Sequence, residues 1–403
     1  MIKVERHFNR GNPEIIRLCQ LSKELYNRCN YLMRKAWFNQ QYLKLRQLPD
    51  INILVQETKG LDCYRNLHNT KIAAQTIRKV LTDWSNYKRA LKAYGKDTSK
   101  FIRCPKPPGY KNKMAQVIFF SETIKGGRSK KQSVSITPTN ECFSIPCDKI
   151  YKQVIITPKT FGFMIDVQYD TNEQKNKKLY LKTSEKTLDK NKVCTIDIGL
   201  NNLCAITLDQ KRPILVNGRI IKSINQWYNK CPTSKNRSRK RYFRLENYFH
   251  HVSKMIVENC IKYRIGKIII GKNNGWKQNI NIGKKNNQAF CYVPIYILLE
   301  KIKYKAEIVG IEVIFTEEAY TSKASFYDND LLPERKKDVV EPVFSGKRKY
   351  RGLYITKDGF ALNADINGSL NIGRKVIPEF LGIGDRSLTA RPVIINPLRK
   401  TGW

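Results

Sequence analysis

Apolar residues recur at helical spacing near the start of the chain. From Asn12 to about Tyr94 they fall three or four positions apart, with basic and amide residues between them. The clearest run consists of Leu18, Leu21, Leu25, Tyr26 and Leu32. The proline-rich segment 100–109 then ends this pattern, because proline lacks an amide donor and disfavours helix in the residue before it. We therefore predict a helical lobe over residues 12–100.

Short β-like runs replace the helical pattern between Ala115 and Leu181. They cover residues 116–120, 132–136, 153–157 and 161–169. A lysine-rich link, residues 173–178, and a stretch of mixed charge, residues 184–192, follow these runs. The change of composition predicts the main division of the chain at this point.

The rest of the chain alternates strands with helices. The predicted strands are residues 192–198, 203–207, 213–216, 265–270 and 313–316, and the main helices are residues 238–263 and 294–309. Three apolar strands in quick succession, followed by helix and strand in alternation, indicate a sheet whose first strand is central and buried on both faces. Asp197 would lie at the end of that central strand.

The charge of the chain points to a polyanionic partner. Lys and Arg number 75 against 34 Asp and Glu, which gives a net charge of +41. Nucleic acid is the leading partner. No membrane association is expected, because the longest apolar runs, such as Ile268–Ile270, are far too short to span a bilayer. The N-terminus lacks the apolar core of a secretory signal, so we expect a cytoplasmic protein with reduced thiols.

Three acidic positions in apolar surroundings are the candidate chemistry. Asp197 lies within Val193–Leu200, and Asp365 lies at the start of an apolar helix. The pair Glu317-Glu318 closes a strongly apolar strand, and one of the two is expected to face the other acids because strand side chains alternate. Carboxylates that converge in a basic protein suggest a metal site acting on phosphates.

Each acid also has a simpler interpretation when it is taken alone. Asp365 could cap its helix, Asp197 could be a buried carboxylate satisfied by neighbouring amides, and Glu317 or Glu318 could be a solvated strand end. The four histidines, at positions 7, 68, 250 and 251, show no metal-ligand spacing. The metal site therefore rests on the three acidic positions together.

These segments resemble the TnpB proteins of insertion sequences, which are RNA-guided nucleases with a RuvC-type domain related to type V CRISPR effectors. The resemblance covers nearly all of the chain and is most specific in residues 195–200, 320–323 and 363–372. It implies that Asp197 and Asp365 are metal ligands. It also implies two Mg²⁺ ions and hydrolysis of DNA phosphodiesters.

Two departures from the family pattern affect the expected site. The usual middle ligand is a Glu directly after an apolar strand, but Gly271 stands there. The resemblance implies a relocated glutamate, Glu318, with Glu317 as the alternative. The two C-x-x-C pairs of many relatives are replaced by residues 324–330 and 344–348, so no zinc is expected.

The resemblance also implies a fold and a set of partners. It predicts an α/β RuvC-like (RNase H-like) nuclease domain, residues 186–376 with a degenerate zinc-ribbon insert at 320–360, followed by a tail, residues 377–403. An N-terminal β-barrel, residues 1–11 and 101–185, would be interrupted by the helical recognition lobe. The implied partners are a guide RNA derived from the transposon end and target double-stranded DNA beside a short flanking motif. We expect a prokaryotic monomer that is associated with the nucleoid when bound to DNA.

Several basic and aromatic residues are candidate nucleic-acid contacts, although a solvated surface would explain them equally well. They are Arg237, Arg239, Lys240, Arg241, Trp276, Lys277, Lys347 and Arg348.

Three other functions remain open from the sequence. A nuclease-dead RNA-guided repressor is favoured by Gly271. A DNA-binding transposase or transposase accessory protein would act without a guide. A purely structural RNA-binding protein would explain the charge but would leave the three acids without a role.

Overall fold

The chain divides into two compact units, each with its own core. The computed structural model describes residues 2–39, 48–67, 69–101, 103–120, 133–136, 143–146, 151–170, 188–272, 293–333, 342–380, 382 and 385–398. The units are Met1–Lys177 and Lys178–Trp403. Their division falls in the predicted lysine-rich link, ahead of the boundary predicted between residues 185 and 186, and the link itself lies outside the described residues. Among the described residues, no helix is long and apolar enough to cross a membrane.

Within the described residues, four α-helices occupy the region of the first unit where the helical pattern predicts them. They are α1 (Pro13–Phe38), α2 (Ile51–Thr58), α3 (Asp62–Arg65) and α4 (Thr70–Lys96). Asn12, Asp50 and Asn69 cap three of them, because each side chain accepts hydrogen bonds from the first-turn amides. Trp84 is buried in their core, where its indole donates to the Asn30 amide oxygen at 2.8 Å.

A four-stranded antiparallel sheet completes the first unit. Its strands are β1 (Ile2–Asn9), β2 (Val117–Phe120), β5 (Tyr151–Lys159) and β6 (Gly162–Asp170), in the order β1-β6-β5-β2. A separate hairpin joins β3 (Ser133–Ile136) to β4 (Phe143–Pro146). The helices are thus inserted between the first and second strands of one sheet. The described strands do not pair β1 with β2, so closure of the barrel stays a prediction.

A mixed sheet of six strands forms the centre of the second unit. The strands are β7 (Asp189–Ile198), β8 (Asn202–Leu208), β9 (Lys211–Asn217), β10 (Ile265–Gly271), β11 (Glu312–Thr316) and β15 (Val393–Ile395), in the order β11-β10-β7-β8-β9-β15. The strand β7 pairs antiparallel with β8 and parallel with β10. The prediction of a central first strand is therefore confirmed.

Helices cover both faces of this sheet. They are α5 (Arg219–Asn229), α6 (Lys235–Lys262), α7 (Ile295–Ile308), α8 (Ala364–Val376) and α9 (Ser387–Ala390). On one face, Ile268 and Ile270 pack in a core with α6 and α7. On the other face, Ile269 packs against Ile372 of α8. The strand β10 therefore reads as a continuous apolar run because neighbouring residues are buried on opposite faces.

The C-terminal region contributes structure that the sequence pattern did not predict. Residues 377–403 were expected to form a tail, but Val393–Ile395 pairs with β9 as the edge strand β15, and α9 precedes it. A three-residue strand is too short for its periodicity to be recognised. Within the predicted insert, β12 (Lys347–Tyr350), β13 (Leu353–Ile355) and β14 (Ala361–Asn363) form a small antiparallel sheet that leads directly into α8.

Two asparagines of α8 hold the loop that follows β11. The Asn371 amide nitrogen donates to the carbonyls of Thr321 at 2.9 Å and Ala324 at 2.7 Å. Asn367 donates to the same Ala324 carbonyl at 2.7 Å and accepts from the Phe326 amide at 3.1 Å. Both asparagines are fully buried. The helix thereby fixes the backbone immediately after Glu318.

The substitution Asn371→Ala should lower the free energy of unfolding by about 1–3 kcal/mol, because the buried Thr321 carbonyl loses its donor. Urea denaturation measures this change. The matched control is Asn247→Ala, an exposed position on α6, which should stay within about 0.5 kcal/mol of the wild type. Equal losses in the two variants would show that the Asn371 amide does not hold the loop.

Candidate active site

The three predicted acids come from three different elements of the second unit. Asp197 is the penultimate residue of β7, Glu318 follows the end of β11 by two residues, and Asp365 is the second residue of α8. The strands β7, β10 and β11 run parallel, so their carboxyl ends lie at one edge of the sheet. The helix α8 contacts β7, β8, β10 and β11. The fold therefore brings the three carboxylates to the same region.

Glu318 occupies the space that a side chain at position 271 would need. Gly271 is the last residue of β10 and pairs with Thr316 of β11. A Cβ atom built on Gly271 would lie 2.5 Å from the Glu318 Oε1 and 2.6 Å from the Glu318 Cγ. Real side chains do not approach so closely, so glycine is required at 271 for Glu318 to adopt this position.

Burial and mutual repulsion raise the pKa values of two of the acids. Burial, with the charge of Asp197 as the second cause, raises the pKa of Glu318 to about 8 against the attraction of Lys375. Burial, followed by the charge of Asp365, raises the pKa of Asp197 to about 7. Asp197 thus interacts electrostatically with both other acids, and a bound cation would relieve this repulsion.

Glycine also allows α8 to approach the central strand. A Cβ atom on Gly368 would lie 2.7 Å from the Asp197 Oδ2, so a larger residue would displace the carboxylate or the helix. Ser369 donates a hydrogen bond to the Thr195 carbonyl at 3.0 Å. Gly368 and Ser369 therefore hold α8 in close contact with β7.

Asp365 is not the cap of its helix. Asn363 is the N-cap, since its side-chain oxygen accepts from the amides of Asp365 at 3.0 Å and Ile366 at 3.3 Å. The interpretation of Asp365 as a capping residue is therefore wrong. Its carboxylate instead accepts from the Asn202 side-chain amide at 2.8 Å and pairs with Arg348 at 3.1 Å.

Glu317 and Glu318 have different surroundings. The Glu317 side chain is 45% exposed and pairs with Lys375 at 3.5 Å. Glu318 is half-buried and interacts electrostatically with Asp197. The alternation of the chain therefore places Glu318, and not Glu317, with the aspartates.

The described residues contain no group of three or more His, Cys, Asp or Glu side chains spaced to hold a metal ion. The Arg348 guanidinium already neutralises one of the three carboxylates, that of Asp365. The donor chemistry nevertheless suits Mg²⁺, which prefers carboxylate oxygens. A shared ion would require Asp365 to exchange its arginine partner for the metal.

Several predicted nucleic-acid contacts have partners within the protein. The Arg237 guanidinium donates to the Trp227 carbonyl at 3.1 Å, and Arg241 donates to the Asn225 side chain at 2.8 Å, so both residues join α6 to α5. Arg239 is half-buried and bonds Asn236. Lys240 and Lys347 are exposed. Trp276 and Lys277 lie outside the described residues.

Four polar residues around Asp365 were not among the predicted site residues. Asn202 binds its carboxylate, while Arg219, Arg351 and Asn201 line the adjacent cavity of about 480 Å³. The sequence carried a signal for the asparagines, since the amide pair Asn201-Asn202 comes shortly after the central strand, with Leu200 between it and Gly199. No local pattern marks Arg219 or Arg351, because they lie on separate elements.

The comparisons with known proteins match the region that carries this site. Residues 296–372 match the family model described as Cas12f1-like, TNB domain, and this range includes Glu318 and Asp365. The chain is also 23% identical over 407 residues to the TnpB-like protein ORF457 of Acidianus two-tailed virus, covering 90% of this chain and 83% of that one. The chain is therefore similar to Cas12f1-like and TnpB-like proteins.

Solved structures that are similar to this chain include two RNA complexes of other proteins. A cryo-EM structure of the Cas12f1-sgRNA-target DNA complex matches with a TM-score of 0.32 and 13% identity, covering 94% of this chain and 100% of that one. The AacC2c1-sgRNA binary complex matches with a TM-score of 0.27 and 9% identity, covering 89% and 70%. These TM-scores are too low for the superpositions to support an argument.

The substitution Gly271→Ala should destabilise the protein by about 1–3 kcal/mol, because its methyl group overlaps the Glu318 side chain and Ile372. In combination with Glu318→Ala the cost should shrink by at least about 0.5 kcal/mol, since one of the two obstructions is gone. A double-mutant cycle in urea measures the coupling. Gly352→Ala is the control, since nothing lies within 4 Å of its added methyl group. Strictly additive costs would contradict the assignment of this space to Glu318.

Proposed function

We propose that this protein belongs to the TnpB family and is an RNA-guided DNA endonuclease, encoded by a transposable element, that cuts its target beside a short flanking motif. The reaction is metal-dependent hydrolysis of phosphodiesters. One observation carries the proposal: the Glu318 side chain fills the space at the end of β10 where the family's usual glutamate would begin. The departure at Gly271 is then a relocation of the middle ligand and not its loss.

The sheet of the second unit supports the RuvC-like (RNase H-like) assignment. Three antiparallel strands, β9-β8-β7, continue into the parallel strands β10 and β11, with α8 packed against one face. A two-metal nuclease needs carboxylates from distant parts of the chain at one point, and the ends of β7 and β11 and the start of α8 supply them. In the first unit, the helices inserted between β1 and β2 support the arrangement of a β-barrel interrupted by a helical recognition lobe.

Asp197, Glu318 and Asp365 would hold two Mg²⁺ ions. When bound, these ions supply a nucleophile from water at neutral pH and stabilise the leaving oxygen. The site suits this role because its carboxylates repel one another when no cation lies between them. We expect no zinc in the insert, where hydrogen bonds such as that from the Tyr354 hydroxyl to the Lys323 carbonyl at 2.8 Å join its sheet to the preceding loop.

The residues around the carboxylates have positioning roles. The Asn202 amide orients Asp365, and the Ile198 backbone amide stabilises the charged form of Asp197. Arg348 holds Asp365 by an ion pair and would exchange that carboxylate for a phosphate oxygen of bound DNA. Asp365 would then be available to hold a metal ion.

The expected partners follow from the charge and from the family. A net charge of +41 favours nucleic acid, and the proposed partners are a guide RNA from the transposon end and double-stranded target DNA. Base pairing with the guide would read most of the target sequence, while the protein reads the flanking motif and the shape of the duplex. We propose a monomer that acts in a prokaryotic cytoplasm on nucleoid DNA.

A second candidate function is a nuclease-dead RNA-guided repressor. The spacing of the described acids favours it, since no three of them are grouped to hold a metal. This protein would bind a guide-matched target without cutting it. Whether the protein cuts or only binds its target depends on whether the Asp365 carboxylate can give up its ion pair with Arg348.

Cleavage of a guide-matched plasmid by the RNA-bound protein in Mg²⁺ tests the proposal. The substitution Glu318→Gln should slow cutting by on the order of 10²–10³-fold, because metal stabilisation of the transition state is worth several kcal/mol. Asp197→Asn should have a similar effect. Glu317→Gln is the matched control, one residue away with a side chain that is 45% exposed, and should cut within about threefold of the wild type, since it loses only the ion pair with Lys375.

Target binding is measured on the same variants by gel shift. Cutting that survives Glu318→Gln but not Glu317→Gln would overturn the ligand assignment. A wild-type protein that binds the matched target and does not cut it in Mg²⁺ or Mn²⁺ would establish the repressor instead. Loss of RNA binding in a variant would indicate misfolding and exclude that variant from the comparison.

A further inference from the structure

We propose that the cavity beside Asp365 binds a backbone phosphate of the DNA strand being cut, next to the scissile phosphate, with Arg219, Arg351 and Lys222 as positioning residues. The inference rests on the proposed endonuclease function, and it names the part of the substrate that this cavity takes. The cavity belongs entirely to the second unit.

Three elements bring cationic groups to this cavity of about 480 Å³. Arg219 is the first residue of α5, and Arg351 lies in the turn between β12 and β13. Arg348 and Asp365 complete the charged lining, so the cavity opens directly beside a proposed metal ligand. A phosphate held here would lie one position along the strand from a phosphate at the metal site.

The positive charges of this cavity exceed the negative ones. Arg348 is paired with Asp365. Within the described part of the chain, the side chains of Arg219 and Arg351 have neither a hydrogen bond nor a carboxylate partner. Both are exposed at the cavity and remain available to a ligand. An anion is the ligand that this lining would select.

Lys222 adds a third cation from the next turn of α5. Its ammonium group donates to the Asn201 side-chain oxygen, and Asn201 itself lines the cavity. Burial, followed by the charges of Arg351 and Arg219, lowers the pKa of Lys222, so the three cations are close enough to repel one another. A bound phosphate would relieve this repulsion, as a metal would relieve that of the carboxylates.

Local contacts fix the backbone that carries these cations. The Gly218 amide donates to the Asn201 carbonyl at 2.8 Å, and an added Cβ at Gly218 would meet the Leu200 carbonyl oxygen. The Asn217 side chain accepts from the Arg219 amide at 2.9 Å, and its carbonyl accepts from the Tyr248 hydroxyl. On the opposite side, Arg348 donates to the Arg351 carbonyl at 3.1 Å. The start of α5 is therefore built rigidly beside the loop that follows Asp197.

The position of the cavity favours a DNA strand over the guide RNA. Asp365 and Asn202 line both the cavity and the proposed catalytic centre, so a strand in the cavity must also pass the metal ligands. Each arginine guanidinium can donate two parallel hydrogen bonds to the oxygens of a phosphodiester, which carries one negative charge. The occupant is thus the strand being hydrolysed.

Single methylphosphonate linkages, which remove the charge of one phosphate, test the assignment in full-length RNA-bound protein under single-turnover conditions. In the wild type, one neutral linkage beside the cut should slow cleavage by about tenfold or more. In Arg219→Gln/Arg351→Gln, cleavage should already be slow, and the same linkage should add no further loss. The control Lys230→Gln/Lys357→Gln removes the same charge from exposed positions outside the cavity and should respond like the wild type.

Binding supplies a readout that does not depend on cutting. With Glu318→Gln in every protein, affinity for a single-stranded DNA oligonucleotide is measured by anisotropy between 50 and 200 mM salt. Each contact with a single-strand phosphate adds about 0.7 to the slope of log affinity against log salt concentration. If Arg219 and Arg351 each make one such contact, raising the salt over this range should lower the affinity of their double variant about sevenfold less than that of the control. Affinity for the guide RNA should be the same in both.

The outcomes separate this inference from the proposed function. Cutting by the wild type, with equal methylphosphonate effects and equal salt slopes in variant and control, would overturn the phosphate site and leave the nuclease intact. A change confined to guide RNA affinity would also overturn it and assign the cavity to RNA. Absence of cutting by the wild type would contradict the proposed function, while the salt slopes would still decide whether the cavity binds a strand.

Discussion

The repulsion among buried carboxylates is the constraint on which the site depends. Burial raises the pKa of Glu318 and Asp197, and each carboxylate also feels the charge of a neighbouring acid. Such an arrangement costs folding free energy unless a cation compensates it. Arg348 compensates part of it by pairing with Asp365, and Lys375 partly offsets the charge near Glu318. The cations of this basic chain therefore stabilise the site itself as well as attracting nucleic acid.

The backbone is shaped to accept this cluster. Gly271 leaves room for Glu318, and Gly368 lets α8 approach the Asp197 carboxylate. The amides of Asn367 and Asn371 hold the loop after Glu318, so the helix that carries Asp365 also fixes the backbone beside Glu318. A change in α8 therefore reaches all three acids, and Lys375 of this helix links Glu317 to Glu318.

In the cavity next to Asp365, repulsion acts among positive charges, as it does among the carboxylates of the candidate site. Arg219, Arg351 and Lys222 repel one another on one side of Asp365, as the carboxylates do on the other. Under the proposed function, these two clusters of opposite sign, joined by the Arg348–Asp365 pair, would complement divalent cations and phosphates together. Arg348 would then be the residue through which occupancy of one site affects the other.

The sequence by itself predicted five of the six described strands of the central sheet, the central place of β7 and the two aspartates, because apolar periodicity and isolated carboxylates are local signals. It did not predict β15, a strand of three residues, nor that Asn363 caps the helix in place of Asp365. Only the tertiary structure separates the surroundings of Glu317 and Glu318, since Glu318 fills the space left by Gly271 on a neighbouring strand. It alone placed Arg219 and Arg351 together, because no spacing along the chain records which distant loops fold to the same edge of a sheet.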